Sequence, residues 1–161
     1  MKNTTKIYWD ESNIIKQDIS IIKFLDANSD LIRDKYNKFI NNLSEREIDK
    51  SNLKNYFKLD DGYNLWWMSL IVERSMYKSN SHSNCLKLIS LELIINQFSL
   101  KKINFVCNDI EVAKTVKALC KKLNVEINII SKFYYPSYKE ITPNLLKVFL
   151  YGISVHILNM L

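Results

Sequence analysis

Lys102-Ile103-Asn104-Phe105-Val106-Cys107-Asn108-Asp109 opens the stretch that decides the fold, and Val125-Glu126-Ile127-Asn128-Ile129-Ile130 closes it. Residues 102–107 are a short β-prone apolar run, read as a buried strand and stopped by the turn-favouring pair Asn108-Asp109. From Ile110 to Leu123 the period changes. Val112, Val116, Leu119, Cys120 and Leu123 recur at spacings of three and four with lysines between them, which predicts an amphipathic helix. Asp109 stands where an N-cap belongs. Residues 125–130 are a second β-prone run. A strand, a helix and a strand within about thirty residues, joined by short connections, predict parallel strands with a right-handed crossover. The fold class that follows is α/β: a Rossmann-like parallel sheet flanked by helices, with a helix-rich amino-terminal half.

Working outward, residues 5–9 (Thr-Lys-Ile-Tyr-Trp) are β-formers before a polar turn and predict a short first strand. Between Ile19 and Leu43, apolar residues such as Ile21, Ile32, Tyr36, Phe39, Ile40 and Leu43 keep helical spacing. The cluster Asn28-Ser29-Asp30 offers caps for a second helix inside that span. Ser44-Glu45-Arg46-Glu47 has the form of a capping box and predicts a short helix reaching Phe57. Lys58 to Gly62 is a turn, Tyr63 to Ser75 a nearly continuous apolar run, Ser79 to Asn84 a polar loop, and Cys85 to Phe98 a helix apolar almost all round. Such a helix is expected to lie buried against the sheet.

After Ile130 the chain passes through a polar, aromatic loop, Ser131 to Thr142. It ends in an apolar segment from Asn144 to Leu161, opened by Pro143 at a first-turn position. That segment carries Lys147, Ser154, His156 and Asn159 and falls short of the roughly 20 apolar residues of a membrane span. Because the chain stops inside this pattern, the expected organisation is an α/β domain at 1–142. Residues 143–161 then form an apolar helix connecting to a further domain of a truncated chain.

Composition narrows the chemistry. The 161 residues suit one domain, and an apolar content of 47% is enough for a core. With only Gly62 and Gly152, no glycine-rich phosphate loop can be written, and no cofactor is expected. The enrichment in Ile, Asn and Lys fits AT-rich coding. The formal charge of +6 comes from scattered lysines that read as solvated surface, so no nucleic-acid partner is expected. Cys85, Cys107 and Cys120 lack paired spacing and sit among apolar neighbours, the pattern of small buried thiols in a reducing compartment. With His82 and His156 they make no zinc set, and no metal is expected. The amino terminus lacks the apolar stretch of a signal peptide, and a cytoplasmic location is expected.

No nucleophile–base set is visible. His82 lies in the Ser/Asn-rich stretch and reads as solvated; Asp60-Asp61 before Gly62 reads as turn chemistry. Asp109 follows a strand at the end where open α/β sheets bind ligands, although capping alone explains it. The run at 63–78 is more informative. Trp66, Trp67, Ser69, Glu73, Arg74 and Lys78 combine aromatic area with ionic groups. A continuous helix would set Trp66, Ser69 and Glu73 on one face and Trp67, Leu70 and Arg74 on another. The plainer reading makes both tryptophans core and the charges a helix-end ion pair.

Here the chain resembles a family of bacterial surface-carbohydrate biosynthesis proteins, large glycosyltransferases of polysaccharide loci. The resemblance lies in Asp61-Gly62-Tyr63-Asn64-Leu65-Trp66-Trp67-Met68-Ser69-Leu70-Ile71-Val72-Glu73-Arg74-Ser75. It extends through Leu86-Lys87-Leu88-Ile89-Ser90-Leu91-Glu92 to the unit at 102–130, about residues 56–130 in all. It implies the amino-terminal, acceptor-side half of a two-domain GT-B glycosyltransferase, not active alone, with a nucleotide-sugar held by a second domain. It also implies a sugar acceptor as partner and residues 143–161 leading toward that second domain or the inner-membrane surface. Trp66, Trp67, Ser69, Glu73, Arg74, Lys78 and Asp109 are the substrate-binding candidates; no catalytic residue carries over. The alternative expectation is a non-catalytic Rossmann-like domain that docks a partner through its carboxy-terminal helix.

Overall fold

The computed structural model describes residues 5–11, 18–48, 51–75 and 77–131. The loop expected at 131–142 beyond Ser131, and the segment at 143–161, lie outside the described residues. Strand β1 spans Lys6–Tyr8 and β2 spans Ile19–Ser20. Helices α1 (Ile21–Ala27) and α2 (Ser29–Ser44) meet at Asn28, as the cap cluster there predicts. The strand–helix–strand unit is β5 (Lys102–Val106), α6 (Ile110–Lys122) and β6 (Glu126–Ile130). Together β2, β1, β5 and β6, in that order, form a four-stranded parallel sheet. This is the Rossmann-like α/β architecture expected. Strand β2 escapes sequence reading, because two residues carry no period and only pairing with β1 makes them a strand.

Register divides the sheet into two unlike faces. Ile7 aligns with Phe105 and Phe105 with Ile129, while Ile103 aligns with Ile127. Ile7, Ile103 and Phe105 are fully buried, in one core with helix residues such as Ile21, Leu91, Ile94, Val116 and Leu119. The other face carries Lys6, Asn104 and Asn128 in one row, and Tyr8, Val106 and Ile130 in the next. None of these six residues is buried. There the Asn128 amide donates to Asn104 Oδ1 at 3.1 Å, and Lys102 pairs with Glu126 at 2.6 Å. Parallel sheets are ordinarily covered on both sides. Here, among the described residues, helices cover one side, so the reading of 102–107 as a wholly buried strand is corrected. Its alternation of Lys, Ile, Asn, Phe and Val is the period-two signature of a half-covered strand.

Helix α5 (Ser81–Gln97) is buried nearly all round, since α1, α2 and α6 pack on it and its apolar side chains enter the core. It starts four residues before the position expected, taking in part of the polar stretch read as a loop. After α5 and α6 the chain turns through Ser99 (φ 49°) and Asn124 (φ 55°). In each case a backbone N–H then reaches five residues back, Leu100 to Ile95 and Val125 to Cys120, at 3.0 and 2.9 Å. Left-handed residues close helices in this way, usually as glycine.

Two local expectations fail. Ser44 does not open a helix: it is the buried last residue of α2, and its hydroxyl donates to Asn41 O at 2.7 Å. Burying Leu43 and Ser44 with α2 outweighs the local cap pattern. The chain next makes the antiparallel pair β3 (Glu47–Ile48) and β4 (Ser51–Asn52), and only Leu53–Tyr56 is helical (α3), with Asn52 as its cap. Nor is 63–75 one helix. Asn64 Oδ1 accepts from Trp66 N at 2.9 Å and starts a 3-10 turn, Leu65–Met68. Extended Ser69 (ψ 144°) ends that turn, and α4 follows at Leu70–Glu73.

Candidate functional site

The break at Ser69 scatters the residues that a continuous helix would have aligned. Trp66 is core, 1% exposed, with its ring 6.4 Å from Phe57. Trp67, its neighbour, is 50% exposed and has the Lys54 ammonium 5.4 Å from its ring centroid. Around Trp67 in the chain, Tyr56, Leu59, Tyr63, Leu65 and Met68 are also exposed. The Tyr63 hydroxyl sits 2.7 Å from Met68 Sδ, and a bridge between Lys58 and Asn64 ties the segment's base. The stretch from Tyr56 to Met68 thus exposes several apolar and aromatic side chains, with Lys54 over Trp67. The Ser69 hydroxyl and Trp66 Nε1 are covered and have no hydrogen-bond partner among the described residues.

The charged residues of this segment separate into two sets. Glu73 pairs with Lys78 at 2.5 Å rather than with its neighbour Arg74. Arg74 turns away. Its backbone is left-handed (φ 60°, ψ 22°), an uncommon state for a residue with a Cβ. The turn carries its guanidinium to α2, where Nη2 donates to Asn37 Oδ1 at 2.6 Å. The same group lies 5.5 Å from the centroid of the Tyr36 ring. On the ring's surroundings, His82 of α5 packs edge-on at 4.8 Å. His82 is therefore a helix residue against an aromatic ring, which corrects its reading as a solvated loop histidine. Its Nδ1 is covered and without a partner among the described residues. Burial, and then the charge of Arg74, lower its pKa and favour the neutral ring.

Asp109 joins neither set. Its Oδ1 accepts from Glu111 N and Val112 N at 2.8 and 3.2 Å, the N-cap expected for α6. It stands at the carboxyl end of β5, next to the place where strand order reverses between β1 and β5. Open α/β sheets bind ligands at such a point. The groups gathered there are already matched. Lys87 reaches Asp10 at 2.7 Å and lies 5.1 Å from the Trp9 ring. Trp9 in turn packs edge-on against Phe105 at 5.9 Å.

The chain matches no known protein family, no characterised protein and no solved structure.

Further chemistry among the described residues is quiet. The thiols of Cys85, Cys107 and Cys120 are free and buried. Burial pushes Cys85 up to about 12 and Cys120 to about 11, far from thiolate reactivity. Among the described residues no group of three or more His, Cys, Asp or Glu is placed to hold a metal ion. No helix among them is long and apolar enough to cross a membrane. Sequence reading missed Tyr36, Asn37 and His82 as neighbours of Arg74. Asn37 lies thirty-seven residues away, and nothing local in α2 marks it.

Proposed function

We propose that this chain is the acceptor-side domain of a glycosyltransferase-like protein of bacterial surface polysaccharide biosynthesis, with residues 56–68 as its sugar-contacting surface. The observation that carries the reading is the exposure of Trp67, with Tyr56 and Tyr63 exposed in the same stretch of chain, on a domain whose other tryptophans are buried. Exposed aromatic faces stack on the C–H faces of sugar rings, and Lys54, over Trp67, supplies a donor. The resemblance of residues 61–75 to surface-carbohydrate biosynthesis proteins supports the same reading. Catalysis would require a nucleotide-sugar held by a second domain, and the working location would be the cytoplasmic side of the inner membrane. The test is titration of the chain with oligosaccharides of surface polysaccharide, followed by Trp67 fluorescence and amide shifts. Saturable binding that is lost in Trp67→Ala and retained in Trp66→Phe is expected. Binding that is indifferent to Trp67, or absent for every glycan, would end this reading.

The sheet face that the described residues leave uncovered favours a second reading, a non-catalytic Rossmann-like domain that docks a partner. Sedimentation of the full chain against one lacking residues 143–161 separates the two. Concentration-dependent association lost with that deletion, in the absence of any glycan binding, would support docking.

A further inference from the structure

We propose that Arg74 anchors an anion site on α2, and that the molecule recognised there carries a carboxylate or a phosphate. This deepens the acceptor reading and rests on it for the sugar, although the anion stands on its own geometry. Three constraints aim the Arg74 side chain: a left-handed backbone, a 2.6 Å hydrogen bond to the Asn37 amide oxygen, and the Tyr36 ring 5.5 Å away. Holding a long side chain in this way sacrifices rotamer freedom. Neither partner, Asn37 nor Tyr36, carries a negative charge. The adjacent acid, Glu73, is taken by Lys78. Among the described residues no carboxylate lies within ion-pair distance of Arg74.

A guanidinium offers five donors in a plane, suited to two oxygens of one anion, and the bond to Asn37 uses one of them. The residue is exposed, so a ligand reaches it. Beneath it, Tyr36 is 1% exposed and braced by His82, which gives the guanidinium a rigid floor. A neutral His82 leaves Arg74 as the single cation of the cluster. The arrangement is a charge positioned by neutral groups, which is how a protein keeps a cation available for a ligand.

The experiment uses the full chain with three probes: galacturonate, glucose 1-phosphate and uncharged glucose. Binding is followed by amide shifts at low salt, with Arg74→Ala, Arg74→Lys and Trp67→Ala as variants. The expected result is that one or both anions bind and that Arg74→Ala weakens them about tenfold or more. Arg74→Lys should lose most of that affinity too, because an ammonium lacks the planar fork. Tighter binding of the phosphate points to a sugar phosphate, and tighter binding of the uronate to an acidic sugar. Anion binding unchanged in Arg74→Ala, or absent in a folded wild-type chain, overturns the proposal. If Arg74→Ala does not fold, Arg74→Gln, which removes the charge and the guanidinium but keeps the methylene stem, gives the same reading. Anion binding that depends on Arg74 but not on Trp67, with no glycan bound, would uphold the anion site and end the acceptor reading. Glycan binding through Trp67 with no role for Arg74 would do the reverse.

Discussion

Trp66 and Trp67 are adjacent in the chain and opposite in burial, and substitution should separate them. Trp66→Ala empties a core position and is expected to cost about 3–5 kcal/mol. Trp67→Ala removes a half-exposed ring and should cost under about 1 kcal/mol. Urea unfolding of both variants measures this, and equal losses would contradict the division of the pair into core and surface. Glu92 gives a second prediction. It is 8% exposed on α5, with Oε2 covered and unpartnered among the described residues. Burial raises its pKa, countered in part by Lys35 and Lys122. The folded state therefore holds this proton more tightly than the unfolded chain. The resulting stability is complete below the ordinary glutamate pKa of about 4.3 and is lost as pH rises through the raised value. Glu92→Gln should thus stabilise the protein at pH ~8 and have little effect at pH ~4. A stability gap between the two proteins that does not change with pH would refute this.

At the scale of elements, Asp109 makes the cleanest case. Its carboxylate takes two orphan N–H groups at the start of α6, and Asp109→Ala is expected to cost about 1 kcal/mol in urea unfolding. Restoration by Asp109→Asn or Asp109→Ser would tie the loss to capping; a loss that neither restores would not fit. The same helix shows why part of the fold was legible. Cap, apolar period and flanking β runs all lie within a short span, so local preferences agree with the tertiary result. The stretch at 63–75 was misread for the converse reason. Its composition is apolar enough for a helix, but the Asn64 side chain caps a single 3-10 turn, and the extended backbone at Ser69 ends it. The hairpin at 47–52 was also illegible, since strands of two residues carry no period.

At the scale of the molecule, the parallel sheet followed from the order of its elements, whereas its strand order did not. The position of β1 between β2 and β5 depends on contacts across nearly a hundred residues. The candidate site divides similarly. Trp67 and Arg74 stood out by residue type, whereas Tyr36, Asn37 and His82, which make Arg74 rigid, are supplied by α2 and α5 from elsewhere in the chain. Single residues with chemical character can be read from sequence; the neutral scaffold that gives them direction belongs to tertiary structure.

The two unlike faces of the sheet, among the described residues, also bear on how freely this chain can change. In β5 and β6 the side chains of Ile103, Phe105, Ile127 and Ile129 face the helices, while Lys102, Asn104, Glu126 and Asn128 face outward. A saturation scan along both strands should therefore beat with a period of two. Most replacements at the first set would be lost to selection for folded protein, and most at the second retained. A sheet enclosed on both sides would give an unbroken run of intolerance. Along β5 and β6, then, every second position lies outside the core that the described residues form, and changes there leave that core intact.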